Sequence, residues 1–150
     1  MLARVLTVGS SVRIVVLLLS YFLVLTVARY LAWQLRFDFD VPPEFEPQIG
    51  RNWLWSVALK LVYLALFGQF AGLLSYFSLP DLRRLFFACF AGSGTLLFIR
   101  YTFGTAYAAP RGVILADFIL SIVGLSMLRL SFRVLRERYF APQARSHRQR

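Results

Sequence analysis

Four apolar runs, each long enough to cross a lipid bilayer, restrict this chain more than any other feature. A spanning helix needs about 20 mostly apolar residues at a rise of about 1.5 Å each. The first run is Ile14 to Trp33, "IVVLLLSYFLVLTVARYLAW". The second is Trp53 to Leu74, "WLWSVALKLVYLALFGQFAGLL". The third is Leu85 to Phe103 and the fourth Val113 to Leu130. Helices are the expected form, because four spans cannot close a barrel and each is too long for a tilted strand. The fold expected is an all-α membrane protein: a four-helix transmembrane domain with a basic C-terminal helical stalk over 1–139, then a polar basic tail or linker over 140–150. Composition agrees, since 59% of the residues are hydrophobic where soluble domains have about 45–50%.

The first run follows Arg4 and Arg13 and contains Thr26-Val27-Ala28, a weak cleavage-like triplet. Its length, and the three runs after it, mark a retained anchor rather than a signal peptide. The net charge of +10 would indicate nucleic acid in a soluble protein, but no recognisable binding module accompanies the basic tail. In a membrane protein excess arginine marks cytoplasmic ends and meets anionic headgroups. Arg4 and Arg13, then Arg83 and Arg84, then the Arg-rich tail share one side of a four-span topology. Both termini are therefore expected in the cytoplasm. The opposite side carries the loop "RFDFDVPPEFEPQIGR", with Asp38, Asp40, Glu44 and Glu46, and all three tryptophans (Trp33, Trp53, Trp55) sit at its edge.

Soluble-enzyme chemistry finds no footing. "GSGT" at 92–95 lacks the third glycine of a dinucleotide loop and lies inside an apolar run. The lone Cys89 excludes an internal disulfide and is expected as a small packing residue, while His147 stands alone in the tail. Gly68–Gly72 forms a GxxxG, and Ala88 and Gly92 repeat the small-xxx-small spacing. Such spacing lets helices approach closely in lipid.

Ionisable residues within the spans carry the remaining information. Lys60 and Asp117 each lie a short way into a span that starts on the outer side, at a depth of roughly 6–10 Å. Arg29 and Arg100 lie near the outer ends of the first and third spans and join that layer. An unpaired charge there costs about 2.5–3.5 kcal/mol on insertion scales. Two readings follow: an ion pair with snorkelling arginines that holds the bundle together, or a polar pocket for a lipid phosphate or a permeating solute. At the other end, Leu128, Phe132, Leu135 and Tyr139 recur on one helical face, beside a basic face of Arg129, Arg133 and Arg136, with Arg138 following. These four arginines are the expected headgroup contacts, each adding about 1 kcal/mol near anionic lipid.

Three stretches together resemble a known family: "RFDFDVPPEF" (36–45), "GQFAGLLSYFSLPDLRRL" (68–85) and "PRGVILADFILSIVGLSMLRLSFRVLRER" (110–138). The chain from about Ser11 to Tyr139 is similar to the N-terminal membrane domain of the CapD-like nucleotide-sugar 4,6-dehydratases, the membrane-anchored short-chain dehydrogenase/reductase group of bacterial polysaccharide biosynthesis. The markers are Ser78 and Asp81, expected in an inner loop, with Pro110-Arg111, Asp117 and the Arg129/Arg133 spacing; Ala71, Ser75 and Gly112 depart from the pattern. The resemblance implies an anchor in the bacterial inner membrane, serving capsule, O-antigen, exopolysaccharide or lipopolysaccharide synthesis. It further implies that NAD(P) and the catalytic residues belong to a cytoplasmic Rossmann domain absent from these residues. No catalytic, cofactor or metal residue is carried over. The implied partners are the anionic bilayer and a fused or separate sugar-nucleotide enzyme, with no nucleic acid. Two alternatives stay open: the membrane domain of a polyprenyl-phosphate sugar-1-phosphate transferase, and a small stand-alone transporter component for a lipid-linked sugar.

Overall fold

The structure, a computed structural model, describes residues 2–70, 79–104 and 108–146, with side chains over 14–70, 80–104 and 108–134. Four helices follow one another: α1 (Leu2–Arg36), α2 (Glu46–Leu66), α3 (Leu79–Phe103) and α4 (Arg111–Ser146). A short 3-10 turn, Pro43–Phe45, leads into α2. No strand occurs among the described residues.

The helices form a ring in chain order, with α4 closing against α1. Their directions alternate. One apolar layer joins Ala32 and Trp33 at the end of α1, Ile49 and Trp55 early in α2, Leu96 late in α3, and Val113 and Ile114 at the start of α4. A second layer joins Leu17, Tyr21 and Leu25 of α1, Leu64 near the end of α2, Leu85 and Cys89 early in α3, and Leu125 in the middle of α4. This is an up-down-up-down bundle. Cys89 packs in that core, as its apolar setting implied.

The outside of the bundle is apolar. Leu23, Phe98, Ile119 and Met127 are all more than half exposed. The centre holds Arg29, Lys60, Asp117 and Ser121, each at most 3% exposed. A water-soluble domain buries its apolar groups and exposes its charges, so this inversion is the signature of a chain whose solvent is lipid. Three helical segments are long and apolar enough to cross a membrane: Ile14–Arg36, Pro80–Phe103 and Arg111–Val134. The chain is thus built as a multi-pass helical membrane protein.

The second expected span is placed differently. In place of 53–74, the helix runs Glu46–Leu66 and is not among the segments apolar enough to cross by that measure. Its start follows local chemistry: Pro47 and Glu46 occupy the first turn, where a missing N–H is harmless and a negative charge meets the helix dipole. Its end is set by Gly68, at φ +70°. Gly68 N–H reaches Ala65 C=O at 3.0 Å and Gln69 N–H reaches Leu64 C=O at 2.9 Å, the two bonds of a Schellman stop. Gly68 is therefore a helix terminator and not the first half of a GxxxG packing face; Gly72, like Leu74, lies outside the described residues.

Two further boundaries shift. α3 begins at Leu79, so Asp81 lies in its first helical turn rather than in a loop. Pro80 followed by Asp81 is a helix-start signal; Ser78, Ala71 and Ser75 lie outside the described residues. α4 continues to Ser146, through residues where a linker was expected. Ala141, Gln143, Ala144 and Arg145 are good helix formers, and Pro142 alone opposes them.

Candidate functional site

Between the two apolar layers lies a polar one, built from three helices. α1 contributes Arg29, α2 contributes Ser56 and Lys60, and α4 contributes Asp117 and Ser121. Four-residue spacing puts Ser56 beneath Lys60 and Ser121 beneath Asp117, each on one helical face. Asn52, one turn further along α2, is also buried.

Both cations converge on one carboxylate oxygen. Lys60 Nζ lies 2.7 Å from Asp117 Oδ2, and Arg29 Nη1 lies 3.2 Å from the same atom. Lys60 Nζ also donates to Ser121 Oγ at 2.9 Å, and Arg29 Nη2 reaches Ser56 Oγ at 3.4 Å. The serine hydroxyls in turn donate to their own helices, Ser56 to the Asn52 carbonyl and Ser121 to that of Asp117. The layer thus ties α1, α2 and α4 through one acceptor. Its formal charge is +1, two cations against one carboxylate.

Close helix approach makes this possible. A Cβ on Gly92 of α3 would lie 3.2 Å from Lys60 Cγ, so the lysine stem runs directly over the glycine. Ala88, one turn earlier, is fully buried. The small-xxx-small spacing of α3 is therefore a real packing seam against α2. Tyr63 closes the same seam by bonding Thr95 at 2.8 Å.

Of the four residues expected in the layer, Arg29, Lys60 and Asp117 come together and Arg100 does not. Arg100 Nη1 donates to the carbonyls of Ala108 and Ala109, both at 3.1 Å. These carbonyls lie in the connection to α4, and a cation in the last turn of α3 is well placed to satisfy them. Ser56, Ser121 and Asn52 were not foreseen. Their signal was spacing by four or eight residues from Lys60 and Asp117.

The expected headgroup arginines also divide. Arg129 turns inward: Nε donates to Tyr21 Oη at 2.7 Å, Nη2 donates to the Gln69 carbonyl at 3.1 Å, and the guanidinium lies 5.7 Å from the Tyr21 ring centroid. It fastens α4 to α1 and to the turn that follows α2 because those groups offer acceptors. Arg133 is exposed. The side chains of Arg136 and Arg138 lie outside the described residues, as do those of Leu135 and Tyr139. Tyr21→Phe should lower bundle stability by roughly 1 kcal/mol, measured as unfolding free energy in detergent micelles. An unchanged value would mean that the Gln69 carbonyl alone holds Arg129.

No protein-family model, curated protein or solved structure matches the chain.

Proposed function

We propose that this chain is the membrane-anchoring domain of a bacterial polysaccharide-biosynthesis nucleotide-sugar dehydratase or epimerase and performs no sugar chemistry itself. The observation that carries the reading is α4. Its apolar part, Arg111–Val134, is long enough to cross a membrane, yet the same helix runs on to Ser146. That continuation contains Arg136, Arg138 and Arg145. A helix is stiff, so a cytoplasmic enzyme attached to it, fused or separate, is held at a fixed height above the headgroups. The basic residues favour the anionic cytoplasmic leaflet.

The resemblance at 36–45, 68–85 and 110–138 supplies the pathway. In this reading all four helices cross the inner membrane, α2 included. Its buried Asn52, Ser56 and Lys60 lower its apolar content but face inward. The alternating helix directions agree with both termini on the Arg-rich, cytoplasmic side. NAD(P) and the reacting sugar belong to the cytoplasmic partner.

Domain exchange tests the proposal. Residues 1–139 should replace the membrane domain of an anchored sugar-nucleotide dehydratase and restore polysaccharide to a strain lacking it. Reporters fused after Gln48 and after Arg150 should report opposite sides of the membrane. A graft that inserts with that topology but restores no polysaccharide would overturn the reading. So would formation of a 4-keto sugar from UDP-N-acetylglucosamine and NAD by the purified chain alone.

A further inference from the structure

A groove of about 420 Å³ opens between α1 and the first half of α2. Val27, Trp33, Ile49 and Trp53 give it apolar and aromatic walls, and Arg29 is the one charged residue lining it. We infer that this groove binds an anionic amphiphile, an oxyanion head on an apolar chain, with the head received by Arg29. This site is independent of the anchoring role.

Three observations converge on that chemistry. Arg29 is 2% exposed, and its terminal nitrogens are engaged by Asp117 and Ser56, but its Nε has no hydrogen-bond partner. A buried guanidinium N–H left unpaired is costly. Thr26, on the same lining, also has a buried hydroxyl without a partner. Finally, the layer behind the groove carries a formal charge of +1, since Arg29 and Lys60 share the single Asp117 carboxylate. One negative head brings it to neutrality. A zwitterionic head cannot, because it adds a cation together with its anion.

The walls define the rest of the ligand. They can take a hydrocarbon chain but give a small hydrophilic anion little to hold. A Cβ built on Gly50 meets nothing within 4 Å, so the α2 side of the groove is open. Both orphan polar atoms are covered by the wall. A ligand oxygen reaches them once the lining side chains shift; of these, Tyr30 is 60% exposed and is the one with room to swing outward. Arg29 lies seven residues before the end of α1, about 10 Å along the helix. The head is therefore held deeper than an ordinary headgroup, within reach of a charge-assisted bond in a medium of low dielectric.

Native mass spectrometry of the whole chain in a neutral detergent tests the inference. The probes are phosphatidylglycerol, phosphatidylcholine, oleate and inorganic phosphate. Phosphatidylglycerol or oleate should be retained roughly ten- to hundred-fold better than phosphatidylcholine, the range that a charge-assisted bond confers. Which of the two wins identifies a phosphate or a carboxylate head. Gly50→Phe places a ring on the groove lining away from the charged layer and should remove that preference without lowering thermal stability. Arg29→Lys keeps the charge but loses the Nε–H donor, and should weaken retention about ten-fold. Because anionic lipid also meets the basic tail, the deciding comparison is native chain against Gly50→Phe. Equal retention by those two would overturn the site. So would equal retention of phosphatidylcholine, or full competition by inorganic phosphate, which would make it a free-anion site without a chain.

Discussion

Asp117→Asn should destabilise the bundle by about 3–5 kcal/mol, the cost of leaving a buried charge without its partner. The geometry makes this the most damaging single change in the polar layer. Arg29 and Lys60 both rest on Asp117 Oδ2, so removing one carboxylate strands two cations. Lys60→Met should cost far less, about 1 kcal/mol. It removes the 2.7 Å bond, but it leaves Arg29 and Asp117 as a neutral pair with Ser121 still beside the carboxylate. Adding Lys60→Met to Asp117→Asn should recover part of the loss, since one stranded cation remains rather than two. The triple change Arg29→Met, Lys60→Met, Asp117→Leu should recover most of it, as apolar replacement of whole buried ion clusters often does. Unfolding free energies in micelles, measured by steric trapping, give the series. Lys60→Met proving as costly as Asp117→Asn would show that the layer does not carry its charges as two against one.

Gly92→Leu should be a strongly damaging packing change, at about 1–3 kcal/mol or more. Even a Cβ at Gly92 meets Lys60 Cγ at 3.2 Å and Tyr63 at 3.6 Å. A leucine would therefore push α2 away and draw Lys60 off Asp117. Gly94 supplies the control on the same helix. It is exposed, and a Cβ there meets nothing within 4 Å. Gly94→Leu should be neutral or slightly stabilising through helix propensity. The Gly92→Leu loss should shrink in a Lys60→Ala background by at least about 0.5 kcal/mol, because the two side chains compete for one space. Strictly additive losses would mean that the lysine stem does not lie on Gly92.

Several parts of this architecture were legible in the residue order. The runs that became α1, α3 and α4 stand out because lipid exposure requires almost every outward side chain to be apolar, and such a pattern survives without tertiary information. The layer's charged members were legible for a related reason. Arg29, Lys60 and Asp117 are conspicuous inside apolar helices, and an intramembrane charge demands a partner. Helix ends were read less well, although their signals were present. Pro80-Asp81 starts α3, and Gly68 stops α2. In each case a bulk apolar run outweighed one or two residues of backbone chemistry.

Residue order alone dictates a chain that is helical, apolar outside, and obliged to bury a small set of charges. How those charges are shared depends on the packing of the helices. Arg29 and Arg100 look alike in sequence, each near the outer end of an apolar run. α1 packs beside α4 and α2, so Arg29 reaches Asp117 and Ser56. Arg100, in the last turn of α3, meets loop carbonyls first. Arg129 looks like a headgroup contact, yet Tyr21, 108 positions away in the chain, stands within hydrogen-bond reach. Hydropathy depends on what each residue is. Pairing depends on which helix faces which around the closed ring.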